Sequence, residues 1–396
     1  METQEQSQLF RLPLEVRYAI YGYLVPNAIH VFVRQGKLAL SPCGEPEVSG
    51  DMRHLGYERK PVEDQSISCA RSREDIWVRR LQSSWGPHWQ CEEEAQGTAH
   101  EATRDETTTT LLLVCRRMHI DIAQVLVSDV VFQVTDLETL EHLAQGTTGS
   151  EPVSSPYAAL SHAMPSLRKL HITLRLSLPF FRALSIVATT SSSSDSINTP
   201  QALITPMHTS VTECDAVTSW LQVWPFLALR LQGLQSLNLW LDHDESASWS
   251  LVNERAILSS IVASMLPQSI ARLGVTVNLP MLHPRYENPE RHYTKGSPPP
   301  PAFVVMNRRL RQDRFYEETG SGVGSVTYEP DFPALLDLID FTADPDSGPL
   351  MTYEDVEELE RESWSRGVNP ENIIWEMASG LGPWPKTRPP FLPWRR

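Results

Sequence analysis

Apolar positions recur at helical spacing from the start of the chain. In LPLEVRYAIYGYLVP, residues 12–26, Val16, Ile20 and Leu24 fall four apart with Tyr23 beside them, which predicts a helix from Pro13 to about Leu24. Proline suits a first helical turn, where its missing N–H would be unpaired anyway, and Glu15 complements the helix dipole there. Pro26 ends the run. The period then switches to two. Ile29, Val31 and Val33 alternate, Gly36 intervenes, and Leu38 and Leu40 resume the alternation, as in a β-hairpin. Periodicity fades over 41–109, which reads as a long, partly disordered insertion around one helical stretch, DIWVRRLQSSW.

Helical spacing returns in LLLVCRRMHIDIAQVLVSD, where Leu111, Val114, Cys115, Met118, Ile122, Val125 and Leu126 share a face. A strand, VVFQV, follows. Thr135 and Glu138 then have capping-box spacing for a helix through about Leu143.

The middle of the chain carries a repeated pattern. LRKLHITL from Leu167, LQSLNLWL from Leu234 and IARLGVTV from Ile270 all read apolar-x-x-apolar-x-apolar-x-apolar. They align Leu170, Ile172 and Leu174 with Leu237, Leu239 and Leu241, and with Leu273, Val275 and Val277. Helix-like stretches, SPYAALSHAM, AVTSWLQVWPFLALRL and NERAILSSIVASML, precede the three strands. That recurrence predicts an α/β body with parallel strands and helices on one side. It resembles a degenerate leucine-rich-repeat sheet in irregular stacking, without an asparagine ladder. TTSSSSDSINTP interrupts it as a flexible tract.

Beyond residue 283 the composition shifts. HPRYENPERHYTKGSPPPP reads as an extended connector and NRRLRQDRF as a basic patch on a helix. From Glu317 to Glu362 there are fourteen acidic residues and one arginine, yet helices are expected at FPALLDLIDF, at TYEDVEELERESW from cap Thr352 to stop Gly367, and at NPENIIWEMASG. The regions are thus 9–145, an N-terminal helical unit with the insertion; 155–282, the repeat-like body; and 283–396, a connector, an acidic helical region and a basic Pro/Trp tail.

The net charge of -15 over 396 residues argues against nucleic acid or an anionic membrane as partner. No apolar run approaches the ~20 residues of a membrane span, and METQEQSQLF is unlike a signal peptide. The five cysteines include no CxxC pair, which fits reduced thiols in the cytoplasm or nucleus. His88 and Cys91 form an HxxC pair, but no second pair stands nearby in sequence, so no metal and no cofactor is expected.

Motifs for nucleophile, zinc-protease and P-loop chemistry are absent. GSGVGS at 320–325 precedes VTYEP and reads as a loop. Glu317, Glu318, Glu357 and Glu358 read as a solvated face, and His171 and His243 as strand-flank residues. No catalytic residue is named, and a non-enzyme is expected.

The opening stretch resembles an F-box, through Leu12, Pro13, Glu15, Val16, Ile20, Tyr21, Tyr23 and Leu24. The second half of that motif resembles Val114, Cys115, Arg116, Arg117 and Met118, with Met118 where the motif has tryptophan and about ninety residues between the halves. The chain is closer still to a fungal family of F-box-like proteins, whose second element fits Cys115, Arg116, Ala123, Leu126, Ser128 and Phe132. The resemblance implies a Skp1-type adaptor as partner and a substrate-recruiting role in a ubiquitin ligase. The alternative is a non-enzymatic scaffold that binds no such adaptor. The stripe of Leu12, Pro13, Val16, Ile20, Tyr23 and Leu24 is then either an adaptor surface or part of the core, packed on the 111–126 helix and the hairpin. Pro390, Pro393 and Arg395 also fit an SH3-ligand pattern in the tail.

Overall fold

A computed structural model describes residues 7–44, 78–96, 107–146, 163–192, 211–265, 273–318, 324–336, 352–370 and 372. The N-terminal region begins with α1 (Gln8–Arg11) and α2 (Leu14–Leu24), with Pro13 at the N-cap of α2. The hairpin follows as β1 (Ala28–Arg34) and β2 (Lys37–Pro42). Gln35 and Gly36 turn it with φ of 53° and 71°, the pair of left-handed residues that a two-residue hairpin with matching twist needs.

Residues 78–82 are helical, and α3 (Trp89–Gln96) follows a short 3₁₀ turn at Gly86–His88. Most of the expected insertion lies outside the described residues.

The helix expected from Leu111 is two helices, α4 (Thr107–Val114) and α5 (Arg116–Asp129). Cys115 breaks it with extended backbone and accepts a hydrogen bond from the Met118 N–H through its sulfur, as an N-cap. Met118, Ile122, Val125 and Leu126 are buried as expected, whereas Val114 is exposed and Cys115 only part-buried. Next come β3 (Val131–Val134) and α6 (Leu137–Gln145). The cap of α6 is Asp136, one residue beyond Thr135, because the Asp136 carboxylate takes both the N–H and the hydroxyl of Thr139.

The body adds β4 (Lys169–Leu176), α7 (Leu178–Ser192), α8 (Val211–Arg230), β5 (Ser236–His243), α9 (Glu254–Met265), β6 (Gly274–Pro280) and β7 (Val304–Arg309). One seven-stranded sheet results, in the order β2-β1-β3-β4-β5-β6-β7. Every pairing in it is parallel except the hairpin. The fold is therefore α/β with a mostly parallel sheet.

Leu170, Ile172 and Leu174 face Leu237, Leu239 and Leu241 in register, but Leu237 pairs with Val275, not Leu273. The third repeat is slid by two residues, a step that keeps its apolar side chains on the same face. Helices α6, α7, α8 and α9 pack on one another as one layer, as sequential right-handed crossovers require. Their core includes Phe180, Phe181, Trp220, Trp224 and Trp249, each at most 2% exposed. Helix α7 falls outside the expected elements, and its TTSS end takes in the start of the expected flexible tract; the rest of that tract lies outside the described residues.

The opposite face of the sheet is polar. The Asn278 amide donates to Asn238 Oδ1 at 2.5 Å, and that of Asn307 to Asn278 Oδ1 at 3.0 Å. This ladder of side chains crosses three strands where none was expected.

The connector expected after residue 283 is fastened down instead. His292 is fully buried with Nε2 3.0 Å from the Val252 carbonyl, and Arg255 donates to the Pro289 and Pro298 carbonyls. NRRLRQDRF is no helical surface patch: it spans the end of β7, a loop and the start of β8 (Arg314–Glu318). Strand β8 pairs with β9 (Gly324–Tyr328) across residues 319–323, so GSGVGS falls at a hairpin loop. Only a 3₁₀ turn, Ala334–Leu336, is described of FPALLDLIDF. The last described helix is α10 (Tyr353–Ser365), where Thr352 and Asp355 form a reciprocal capping box and Gly367 has φ of 73°. NPENIIWEMASG lies almost wholly outside the described residues.

The arginines are drawn inward by Asp242, which is fully buried at the end of β5. Arg309 reaches it at 3.0 Å and Arg311 at 2.9 Å. Arg309 also lies 3.8 Å above the Trp240 ring, and Arg311 places an N–H 2.8 Å from His243 Nδ1. Burial alone would raise the Asp242 carboxyl, but Arg311 and Arg309 overcome it and hold the group far below the ordinary carboxylate range. Burial and the Arg311 charge lower His243 to about 3. Burial likewise lowers His283 and His292.

These shifts give a signed pH dependence. Between about pH 6.5 and 3 the unfolded chain takes up a proton that folded His243 refuses, so stability falls as the solution is acidified. Below the unfolded carboxylate range, near pH 4, Asp242 adds to the loss. At pH 5 His243 alone accounts for about 2 kcal/mol relative to neutral pH. A melting curve at pH 5 should sit several degrees below one at pH 7.5, and His243→Asn should flatten the difference. A profile that is flat over that range contradicts this reading.

Candidate functional site

The residues carrying the F-box resemblance come from α2 and the α4–α5 junction. Helix α2 is inside out: its fully or nearly buried residues are Arg17 and Tyr21. Arg17 Nη1 lies 2.6 Å from Asp121 Oδ2 on α5, in an ion pair whose two side chains are under 10% exposed. The Tyr21 hydroxyl reaches the same oxygen at 3.4 Å. Phe10 of α1 sits under two guanidinium groups, 5.8 Å from Arg17 and 5.1 Å from Arg117, in cation–π contact. The two halves of the motif therefore meet in space across the long intervening sequence.

The apolar stripe is left largely outside that contact. Leu12, Leu14, Val16 and Leu24 are 37–44% exposed and Tyr23 is 92% exposed. Ile20 is half-buried and Pro13 exposed. The packing of this stripe wholly into the subunit's own core, one of the two sequence readings, is not found among the described residues. From the second half of the motif, Val114 is exposed at 58%, Cys115 is half-buried and Met118 is buried. Sequence periodicity identified the stripe but left its direction open between a partner and the core, because it could not register that Arg17 has a carboxylate waiting on α5.

Other candidates separate. Glu317 and Glu318 lie exposed on β8, and Glu357 and Glu358 lie on α10, where Glu357 pairs with Arg361. His171 shares a 3.3 Å contact with Gln133, and His243 is locked against Arg311. The tail residues Pro390, Pro393 and Arg395 lie outside the described residues. Among the described residues no helix is long and apolar enough to cross a membrane.

One convergence was not foreseen. His88 and Cys91 meet His30 of β1 and Cys43, which follows β2. The ligand-type atoms of all four lie within 4.8 Å of one another. His30 pairs with Ser41 in the hairpin, and the Cys43 N–H extends the ladder to the Ala28 carbonyl, so Cys43 shares the face of His30 as its diagonal neighbour. The HxxC spacing puts the other two on one side of a helical turn. The expected hairpin register, laid beside the HxxC pair, is the signal that could have joined them.

A family model matches residues 2–285, most of the chain, and its description is a domain of unknown function, DUF7730. The chain belongs to the DUF7730 family. Its DUF7730 region holds both the exposed α2 face and the His/Cys cluster, while β7, the β8–β9 hairpin and α10 lie beyond it. Neither a curated protein nor a solved structure matches the chain.

Proposed function

We propose that this chain is a protein-interaction subunit: the apolar face of α2 docks a Skp1-type adaptor, and the body recruits a protein substrate for ubiquitin ligation in the cytoplasm or nucleus. One observation carries the reading. Helix α2 is held to the fold by its polar side, Arg17 and Tyr21 on Asp121, and leaves its apolar side uncovered among the described residues. A helix of 11 residues is marginal alone. Here the buried ion pair supplies the anchorage, so the stripe is available to a second molecule. Tyr23, the most exposed of these side chains at 92%, is of the aromatic type that anchors interfaces. The half-exposed Val16 and Leu24 each have about 1 kcal/mol of burial still to gain. The polar sheet face, with its asparagine ladder, and the acidic β8 residues form the surface offered to a substrate.

The test is a pull-down from cells expressing the intact chain. Skp1 and cullin components should be recovered with wild type and lost with Val16→Glu/Leu24→Glu, while the melting temperature of the variant stays within a few degrees of wild type. Absence of those components from the wild-type eluate would remove the proposal. Loss of folding in the double variant would return the stripe to the core.

A further inference from the structure

We infer that His30, Cys43, His88 and Cys91 form a structural zinc site that clamps residues 78–96 to the β1–β2 hairpin. The inference is independent of the adaptor reading. The donor set is two thiols and two imidazoles, the composition of closed, four-coordinate zinc sites. The spacing is close to what the ion needs. Zinc–sulfur and zinc–nitrogen bonds of about 2.3 and 2.05 Å in a tetrahedron place the two ligand atoms about 3.6 Å apart. Cys43 Sγ and His88 Nδ1 are 3.6 Å apart, and the full set needs a contraction of about 1 Å from its widest separation.

Burial argues for a ligand. His30 is fully buried, and neither ring nitrogen makes a hydrogen bond of ordinary geometry. A buried polar group left so is destabilising, and coordination would remove that cost. Its ring stacks on Trp85 at 4.7 Å and meets the His88 ring edge-on at 4.7 Å, so its orientation is set. His88 and Cys91 are also 2% exposed, and four protein donors fill a tetrahedral ion and leave no position for a substrate, which makes the site structural and not catalytic.

The surroundings give the clamp a purpose. Residues 78–96 pack on the hairpin end of the sheet, and their own core is small: Phe32, Trp85, Cys91 and Ala95, separate from the main core. So little apolar burial seldom holds a layer in place, and small units of this kind use a metal instead. Cys43, Cys91, Cys115 and Cys214 form no disulfide, and the first two are the pair the site uses.

The full chain, purified under reducing conditions without chelator, should carry stoichiometric zinc by elemental analysis. Cys91→Ser and His88→Ala should lose it, and Cys214→Ser, outside the cluster, should keep it. If the ligand variants do not fold, cobalt exchanged into wild type serves as the readout, through the strong visible bands of a tetrahedral ion and thiolate charge transfer. Chelation should lower the melting temperature of wild type, and zinc should restore it. Sub-stoichiometric metal with no thermal response to added zinc would overturn the inference. So would zinc retained by both ligand variants, or a Cys43–Cys91 disulfide in the metal-free native chain.

Discussion

Asp242→Ala is expected to be the most damaging single substitution at the polar face of the sheet, lowering stability by about 5 kcal/mol. The carboxylate is fully buried and is shared by Arg309 and Arg311, both under 5% exposed. Its removal takes from two buried guanidinium groups the carboxylate they share, with Arg175 near enough to add a third positive charge. Breaking one buried pair by deleting a partner typically costs 3–5 kcal/mol, and here one deletion breaks two. Against a total stability of roughly 5–15 kcal/mol the variant stands close to the unfolding threshold. Urea denaturation measures it, with the midpoint falling and the slope unchanged. Asp242→Leu combined with Arg309→Met should recover part of the loss, since an apolar pair needs no counter-charge. Arg311 is left intact because it also holds the 243–247 turn through the His243 and Ala247 carbonyls. A midpoint for Asp242→Ala within error of wild type would show that the cluster is solvated in solution.

Arg17→Ala ranks next, at about 3–4 kcal/mol. It strands Asp121, which is 7% exposed and left with the Tyr21 hydroxyl at 3.4 Å. The effect should be local. Helix α2 touches the rest of the fold mainly at α5, so amide exchange should quicken over residues 8–25 and 116–125 while the β4–β6 core stays protected. Asp121→Ala should match it, and the double variant should cost less than the two singles added, because each removes the other's unpaired charge. Additive losses would mean that the pair contributes no coupling and that α2 is held by something else.

Much of the fold was legible because local signals and burial agree. The turn of the hairpin, the three apolar-alternating strands and the Thr352 cap each rest on residues whose own neighbours decide their structure. What escaped depends on distant partners. Arginines at 308, 309 and 311 read as a surface patch until Glu254 and Asp242 are placed beside them. The slide of the third strand leaves periodicity unchanged, since a shift of two preserves the face. The break at Cys115 sits inside a run of good helical spacing and is set by a sulfur cap no period can show. The α2 stripe was visible in the sequence, but the choice between surface and core was not, because its exposure follows from Arg17 and Asp121, 104 positions apart. The His/Cys cluster escaped for the same reason, since half its members are on the hairpin.

The central claim is that the apolar face of α2 is covered by another protein. Titration calorimetry of the full chain against a purified Skp1-type adaptor tests it most directly. The account predicts saturable one-to-one binding by wild type and an affinity about 100-fold weaker or worse for Val16→Glu/Leu24→Glu. Absence of binding by wild type, or equal binding by the two proteins, would contradict it.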